Sequence, residues 1–429
     1  MKTYKHSVSL DVSKCHGCTT CLRYCPTEAI RIRDGHAVIS SEKCIDCGEC
    51  IRVCPNKAKK AVYDKFDCLS QYKYKIALPA PALFGQFDNM DDLDYVLQGL
   101  LDVGFDDVYE VSRAAELVSA YTRRYMKRKD VQRPIISSAC PVITRLISLR
   151  FPDLCEKVMP ILPPIEIAAK EAKAKAMREH PELKPEEIGA FFISPCPAKV
   201  SYVTNGADGE GSYVDKVLSI SDLYFLLIDV MKHEIPPVPV SRSGMIGISW
   251  ASAGGEATAI FNDKYLAVDG VENCIKVLDQ IESGTFPDLE FIELNACHGG
   301  CVGGTMTVAN PYIAKARLQT LRRYLPVSQN FVYGDADDLG IPESYLSRTE
   351  LEYQPAKPLS SNFAESRRMM SEIQRLHASL PCIDCGSCGS PTCLAFAEDV
   401  VRGEASIEEC IIRQKPDFAH KNRGEESDS

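Results

Sequence analysis

Ile292-Glu293-Leu294-Asn295-Ala296-Cys297-His298-Gly299-Gly300-Cys301-Val302-Gly303-Gly304 is the stretch on which the reading of this chain turns. An apolar run expected to be a strand, Glu290 to Glu293, leads into a cysteine, and glycines then flank a second cysteine. Glycine lacks a side chain and tolerates left-handed geometry, so such a turn lets backbone approach a bulky inorganic group. The turn alone is weak evidence, but two other apolar runs end the same way. They are Ile135-Ile136-Ser137-Ser138-Ala139-Cys140-Pro141 and Phe192-Ile193-Ser194-Pro195-Cys196-Pro197. In open parallel sheets ligands bind beyond the carboxyl ends of the strands. Cys140, Cys196 and Cys297 are therefore expected to converge, with Cys301 completing a set of four thiolates.

Outward from these loops, the chain after Phe66 alternates short apolar runs with longer helical patterns, the mark of an α/β fold with a largely parallel, helix-covered sheet. Expected strands are Lys75 to Pro79, Asp107 to Val111, Pro134 to Ser137, Ala190 to Ser194, Met245 to Ser249 and Glu290 to Glu293. Expected helices are Pro164 to Arg178, Ser221 to Lys232, Ala257 to Asp263, Glu272 to Ser283 and Tyr312 to Tyr324. The 429 residues are enough for two to four domains and a substantial core. A formal charge of −10 argues against nucleic acid as a partner, and no apolar stretch reaches the length of a membrane span.

Twenty cysteines are far above ordinary usage. Eight form two runs, Cys15-x2-Cys18-x2-Cys21-x3-Cys25-Pro26 and Cys44-x2-Cys47-x2-Cys50-x3-Cys54-Pro55, the spacing of bacterial two-cluster ferredoxins. Three thiolates in one loop cap three corners of an iron-sulfur cube, and the proline-marked fourth reaches the other cube. Cys15, Cys18, Cys21 and Cys54 are expected to hold one [4Fe-4S] cluster, and Cys44, Cys47, Cys50 and Cys25 the second. Structural zinc needs no proline-marked fourth cysteine, and disulfides suit small secreted chains. No charged-then-apolar leader precedes Ser13, so the expected compartment is the reducing cytoplasm. Lys57, Lys59 and Lys60 fit either a docking patch for an acidic carrier or, more simply, a solvated linker.

Residues 1–64 thus read as a ferredoxin-like domain, with a hairpin Ala29 to Ser40 between its cysteine loops and too little core to stand without clusters. Residues 65–360 are the α/β domain, and 361–380 a linker that is helical near Phe363 to Ala378. Residues 381–415 carry Cys385-x2-Cys388-x4-Cys393-x16-Cys410, the layout of a small helical [4Fe-4S] domain. The polar tail, 416–429, is expected to be disordered after Arg423. Cys68, Cys155 and Cys274 read as small buried hydrophobes, Cys382 as a spare thiol, and His16 and His298 as spacers.

Taken together, the loops resemble those of the [FeFe]-hydrogenases over nearly the whole chain. Ser137-Ser138-Ala139-Cys140-Pro141 is similar to the family's Thr-Ser-Cys-Cys-Pro, and Ser194-Pro195-Cys196-Pro197-Ala198-Lys199 to Met-Pro-Cys-x-x-Lys. Glu293 to Gly304 matches Glu-x-Met-Ala-Cys-x-x-Gly-Cys-x-x-Gly most fully. The resemblance implies a two-lobed H-cluster domain flanked by the ferredoxin-like and C-terminal Fe-S domains. In it, Cys140, Cys196, Cys297 and Cys301 hold a cubane, Cys301 bridges to a two-iron subcluster carrying CO and cyanide, and Lys199 contacts a cyanide. It implies hydrogen and protons as substrates, with electrons relayed through the other clusters to a redox carrier such as ferredoxin.

Departures from the family pattern qualify the activity. Ala139 stands where the family has its proton-relay cysteine, so fast turnover is not expected. Ser194 and Asn295 replace methionines that pack the diiron unit, and Tyr202 replaces a glutamate. More polar contacts there are expected to shift its potential. This pattern resembles the sensory, group D-like members, which implies a signalling protein as partner. The alternatives are a non-catalytic hydrogenase-like Fe-S scaffold and an electron-transfer protein, both lacking the diiron subcluster. Glu116 and Tyr121 fall near the family's proton route in an alignment too loose to assign either a role.

Overall fold

The computed structural model describes residues 4–88, 90–206, 211–231, 237–284, 288–331 and 340–414. The chain divides into two compact units, one of residues 1–44, 49–60 and 355 onward, the other of 45–48 and 61–354.

In the first unit, strand β1 (Val8–Leu10) pairs with β4 (Lys59–Ala61), and β2 (Ile30–Arg33) pairs antiparallel with β3 (His36–Ile39). The latter is the expected hairpin, closed by Asp34 and Gly35 at φ 51° and 74°, the positive values that a tight two-residue turn needs. Its two cysteine runs fold alike. The N–H of Ala29 donates to Cys25 Sγ at 3.2 Å, and that of Ala58 to Cys54 Sγ at 3.3 Å, across turns in which Glu28 and Lys57 share φ near 50°. The segment read as a linker is a helix, Phe363–Ala378, capped by the Asn362 side chain. Its Ile373 packs with Leu380, Phe396 and Ala397 in one apolar cluster with the helix Cys393–Val401, so it builds the small C-terminal domain as well as leading to it.

That small domain is seated on the ferredoxin-like strands. Asp399, on the second helix, accepts from Arg31 at 2.6 Å, Arg33 at 2.8 Å and Ser390 at 2.6 Å, and its side chain is 4% exposed. Backbone pairs as well, since Ile32 N–H donates to the Gly389 carbonyl at 2.8 Å. Arg23 donates to the Cys385 carbonyl at 2.6 Å. A buried carboxylate is tolerable only when paired and hydrogen-bonded, and here three donors satisfy it.

The second unit holds two parallel sheets. One has the order β6 (Asp107–Val108), β5 (Tyr74–Pro79), β8 (Ile188–Ser194), β9 (Lys216–Ser219); the other β10 (Tyr265–Asp269), β11 (Phe291–Asn295), β7 (Ile135–Ile136). Every residue of β8 is buried, as a central strand covered on both faces must be. Alternate residues serve different cores: Ile76, Leu78, Ala190 and Phe192 face one, Ala77, Phe191 and Ile193 the other. The first core also takes Ile135 and Phe291 from the second sheet, while Ile136, Ile292 and Leu294 enter a third. Period-two alternation thus lets each sheet bury both faces.

Several expected elements change. Met245 to Ser249 is a helical turn, not a strand. Short apolar runs do not declare their period, and Gly247 presses so near Ser112 that a Cβ would lie 2.2 Å from its carbonyl oxygen. The strand expected over Asp107 to Val111 stops at Val108, because Val111 already begins the helix Val111–Tyr125. The helix expected over Ala257 to Asp263 runs Gly255–Ala259, and Phe261 adopts φ 53°. Strands β9 and β10 were not foreseen. Helices Pro164–Glu179, Val271–Glu282 and Pro311–Leu321 agree closely with expectation. The helix from Ile220 is described to Val230, and Lys232 lies outside the described residues, as does the tail after Arg423. No helix among the described residues is long and apolar enough to cross a membrane.

Candidate functional site

Strands β7 and β8 each deliver a cysteine to the start of a helix. Cys140 caps Pro141–Arg150 and Cys196 caps Pro197–Asn205, both in extended conformation with proline as the first helical residue. Proline there forgoes only an N–H that has no helical partner, and a helix N-terminus favours an anion. Strand β11 delivers Cys297, and Cys301 opens the turn Cys301–Gly303.

The glycines of this last loop have steric reasons. Gly300 sits at φ 91°, and a Cβ on it would lie 2.4 Å from Ala253 N. Gly304 has an ordinary φ of −62°, yet its Cβ would lie 2.2 Å from the Pro195 carbonyl oxygen. That oxygen accepts from Met306 N at 2.9 Å, so the third cysteine loop lies directly against the second.

Lys199, one turn into the second helix, is buried beside all four sulfurs. Burial alone would lower its pKa. The thiol groups of Cys301, Cys196, Cys140 and Cys297 outweigh that and hold the ammonium above its ordinary range. Burial in turn pushes the Cys301 thiol up to about 11 and raises that of Cys196, with Lys199 opposing both shifts. Four sulfurs, one buried cation and two helix N-termini suit a group that is anionic and bound through sulfur.

Three residues singled out from sequence have defined partners. Ser194 is fully buried, and its hydroxyl donates to the Cys196 carbonyl at 2.9 Å and accepts from Cys196 N–H at 3.2 Å, shaping the ligand turn. Asn295 donates to Glu293 Oε1 at 2.5 Å. Ala139 N–H donates to Ser137 Oγ at 3.2 Å.

Sequence reading missed a buried acidic pair beside Ala139. Ser137 Oγ donates to Glu256 Oε2 at 2.6 Å, while Glu256 Oε1 is buried without a hydrogen-bond partner among the described residues. Glu293 accepts from Gly254 N–H, Ala257 N–H and Asn295. Burial raises both carboxyl pKa values, and the proximity of Glu293 raises that of Glu256 further. Glu293 was quoted as part of a motif, but Glu256 lies on a separate short helix and carries no local signal. Glu116 is a structural clamp, accepting from Gly244, Ser328, Gln329 and Asn330. Tyr121 belongs to the apolar core and Tyr202 packs at its edge.

In the first unit, Cys15, Cys18, Cys21 and Cys54 line a single cavity, with His16 exposed at its edge. Cys25 and Cys50 pack on one small apolar cluster of that unit; Cys44 belongs to the same unit outside that cluster, and Cys47 packs within the second unit. In the C-terminal domain Cys388, Cys393 and Cys410 pack in one apolar cluster, and burial raises the Cys388 pKa, with Cys410 and Cys385 adding to the shift. Cys382 is exposed, 3.6 Å from His377 Nε2. Cys68, Cys155 and Cys274 are buried, as small hydrophobes should be, and none of the twenty cysteines is disulfide-bonded. No three His, Cys, Asp or Glu side chains among the described residues close on a single-ion site. The basic run is not a uniform solvated patch, because Lys59 is buried.

Comparison with known proteins agrees with this layout. A family model described as "4Fe-4S dicluster domain" matches residues 7–55, and one described as "Putative Fe-S cluster" matches 380–412. The chain is 28% identical to the periplasmic [Fe] hydrogenase large subunit of Nitratidesulfovibrio vulgaris over 386 residues, covering 74% of this chain and 90% of that one. Among solved structures, a variant of [FeFe]-hydrogenase HydA1 from Chlamydomonas reinhardtii gives a TM-score of 0.46 at 16% identity, covering 58% of this chain and 84% of that one. The structure of HydA(deltaEFG), described as revealing stepwise [FeFe]-hydrogenase H-cluster assembly, gives 0.48 at 15% identity, covering 66% and 94%. The model described as "Iron only hydrogenase large subunit, C-terminal domain" matches residues 73–263 and 229–305, which is more than half of the chain. This iron-sulfur protein, with its mixed α/β fold, belongs to the iron-only hydrogenase large-subunit family.

Proposed function

We propose that the chain is a sensory, low-turnover [FeFe]-hydrogenase that oxidises hydrogen and reduces protons reversibly at an H-cluster. The cubane of that site would be held by Cys140, Cys196, Cys297 and Cys301, and Cys301 would bridge to a diiron subcluster with CO and cyanide ligands. The observation that carries this reading is Lys199, buried on the helix that Cys196 caps and near enough to Cys301, Cys196, Cys140 and Cys297 for their thiolates to hold its ammonium above the ordinary range despite burial. The subcluster, when bound, supplies the heterolytic hydrogen chemistry.

What the protein supplies follows from its own residues. Lys199 offers a donor to an anionic ligand where little water competes. Ser194 fixes the backbone turn of Cys196. Ala139 carries no exchangeable side-chain proton, which supports slow turnover. Glu256 and Glu293 form a buried acidic pair linked through Ser137 to the Ala139 loop, and burial raises both carboxyl pKa values, which favours their protonated forms. Ser137, hydrogen-bonded to Glu256, is the polar step from that pair toward the Ala139 loop.

Electrons would travel through two ferredoxin-type [4Fe-4S] clusters and one held by Cys385, Cys388, Cys393 and Cys410, exchanging with a ferredoxin-like carrier. A signalling protein as recipient, and a cytoplasmic location, are part of the same reading. The similar N. vulgaris large subunit is described as periplasmic.

Infrared spectroscopy after maturation with a diiron cofactor tests the proposal. CO and cyanide stretching bands are expected. Protein loaded with its iron-sulfur clusters but lacking those bands would instead be a hydrogenase-like scaffold or electron-transfer protein.

A further inference from the structure

Lys59 is 3% exposed, and its Nζ is buried with no hydrogen-bond partner among the described residues. An uncompensated ammonium in a protein interior is costly, so such a group marks a place where a negative partner belongs. Lys59 lines the same cavity as Cys15, Cys18, Cys21 and Cys54.

The internal repeat sharpens the point. Each cysteine run ends in the same turn, with an alanine N–H donating to the fourth cysteine sulfur. Counting onward from that turn, Cys25-Pro26-Thr27-Glu28-Ala29-Ile30 aligns with Cys54-Pro55-Asn56-Lys57-Ala58-Lys59. Ile30 and Lys59 are both buried, at 2% and 3% exposure, and both lie in short strands following the turn. One half of the ferredoxin module therefore places an aliphatic side chain where the other places a cation.

We propose that Lys59 makes the cluster held by Cys15, Cys18, Cys21 and Cys54 the more easily reduced of the ferredoxin pair. This rests on the assignment of a [4Fe-4S] cluster to those four cysteines. Reduction adds one electron, from an external one-electron donor, to a cluster whose thiolates already make it anionic. A fixed cation lining the same cavity stabilises the reduced form more than the oxidised one, and low local dielectric strengthens the effect. Ile30 offers no such stabilisation to the other cluster. The electron then rests preferentially on the Cys15 side of the module. Ile32 lines this cavity while its N–H bonds to Gly389, beside Cys388.

The test is a dithionite titration of the full-length, cluster-loaded protein at controlled potential, followed by electron paramagnetic resonance. Wild type, Lys59→Met and Lys59→Arg are compared after their iron content has been matched. In Lys59→Met one ferredoxin-type signal is expected to move to lower potential while the others stay in place, and Lys59→Arg is expected to keep the wild-type midpoint. If Lys59→Met retains full iron and no midpoint moves, the proposal is overturned. Should the wild type itself lack a second ferredoxin-type signal and its share of iron, the cluster assignment fails first and takes the proposal with it.

Discussion

Ser137 Oγ and Glu256 Oε2 lie 2.6 Å apart, joining the loop that carries Ala139 to a short helix that carries a buried carboxyl whose pKa is raised by burial and by Glu293. The loop that lost its side-chain acid is therefore still in contact with an acidic group.

Restoring a thiol at the alanine should speed hydrogen turnover. Positioned acid-base groups contribute about 10²- to 10⁴-fold, and Ala139→Cys is expected to gain toward the lower end, because proton delivery is only one step. Hydrogen uptake is measured on protein whose CO and cyanide bands match wild type. An unchanged rate on such protein would show that another barrier limits turnover.

Replacing Glu256 by Gln should lower turnover and flatten the dependence of stability on pH. Its carboxyl pKa is raised in the folded state, so the native protein binds a proton that the unfolded chain releases above its ordinary value near 4.5. Stability from this group is complete below that value and is lost as pH rises through the raised one. As pH rises from the ordinary value near 4.5 through the raised one, the wild-type unfolding temperature should fall relative to that of Glu256→Gln. Parallel curves would show that Glu256 does not hold its proton.

Gly304→Ala should impair the four-cysteine site without any backbone strain. The glycine has an ordinary φ, but the added methyl would meet the Pro195 carbonyl oxygen at 2.2 Å, forcing apart the loops that carry Cys196 and Cys301. Overpacking of this kind costs about 1–3 kcal/mol. The expected outcome is a lower iron content with the ferredoxin-type signals preserved, measured by iron assay and electron paramagnetic resonance.

Asp399→Ala should loosen the C-terminal domain. It strands Arg31 and Arg33, whose side chains are 15% and 24% exposed, opposite a lost carboxylate. Removing one member of a buried pair costs about 3–5 kcal/mol, and partial exposure of the arginines places the expected loss toward the lower figure. Limited proteolysis should cut within residues 355–414 faster than in wild type. Equal cleavage rates would mean that backbone pairing through Gly389 carries the contact.

The sequence by itself determined the cysteine spacings, the parallel α/β texture and the three loops that identify the family, because ligand geometry and helix or strand period leave local marks. It also exposed Ala139 as a departure, since that is a substitution within a recognisable motif. Only the tertiary structure decided that Lys199 is buried among four sulfurs drawn from three loops, that Glu256 pairs with Glu293, and that Lys59 is an interior cation. Those facts depend on which distant segments pack together and how much water they exclude. Neither has a period or a spacing to read. The same reason explains Met245–Ser249: its helical turn is set by close packing of Gly247 on Ser112, a contact invisible along the chain.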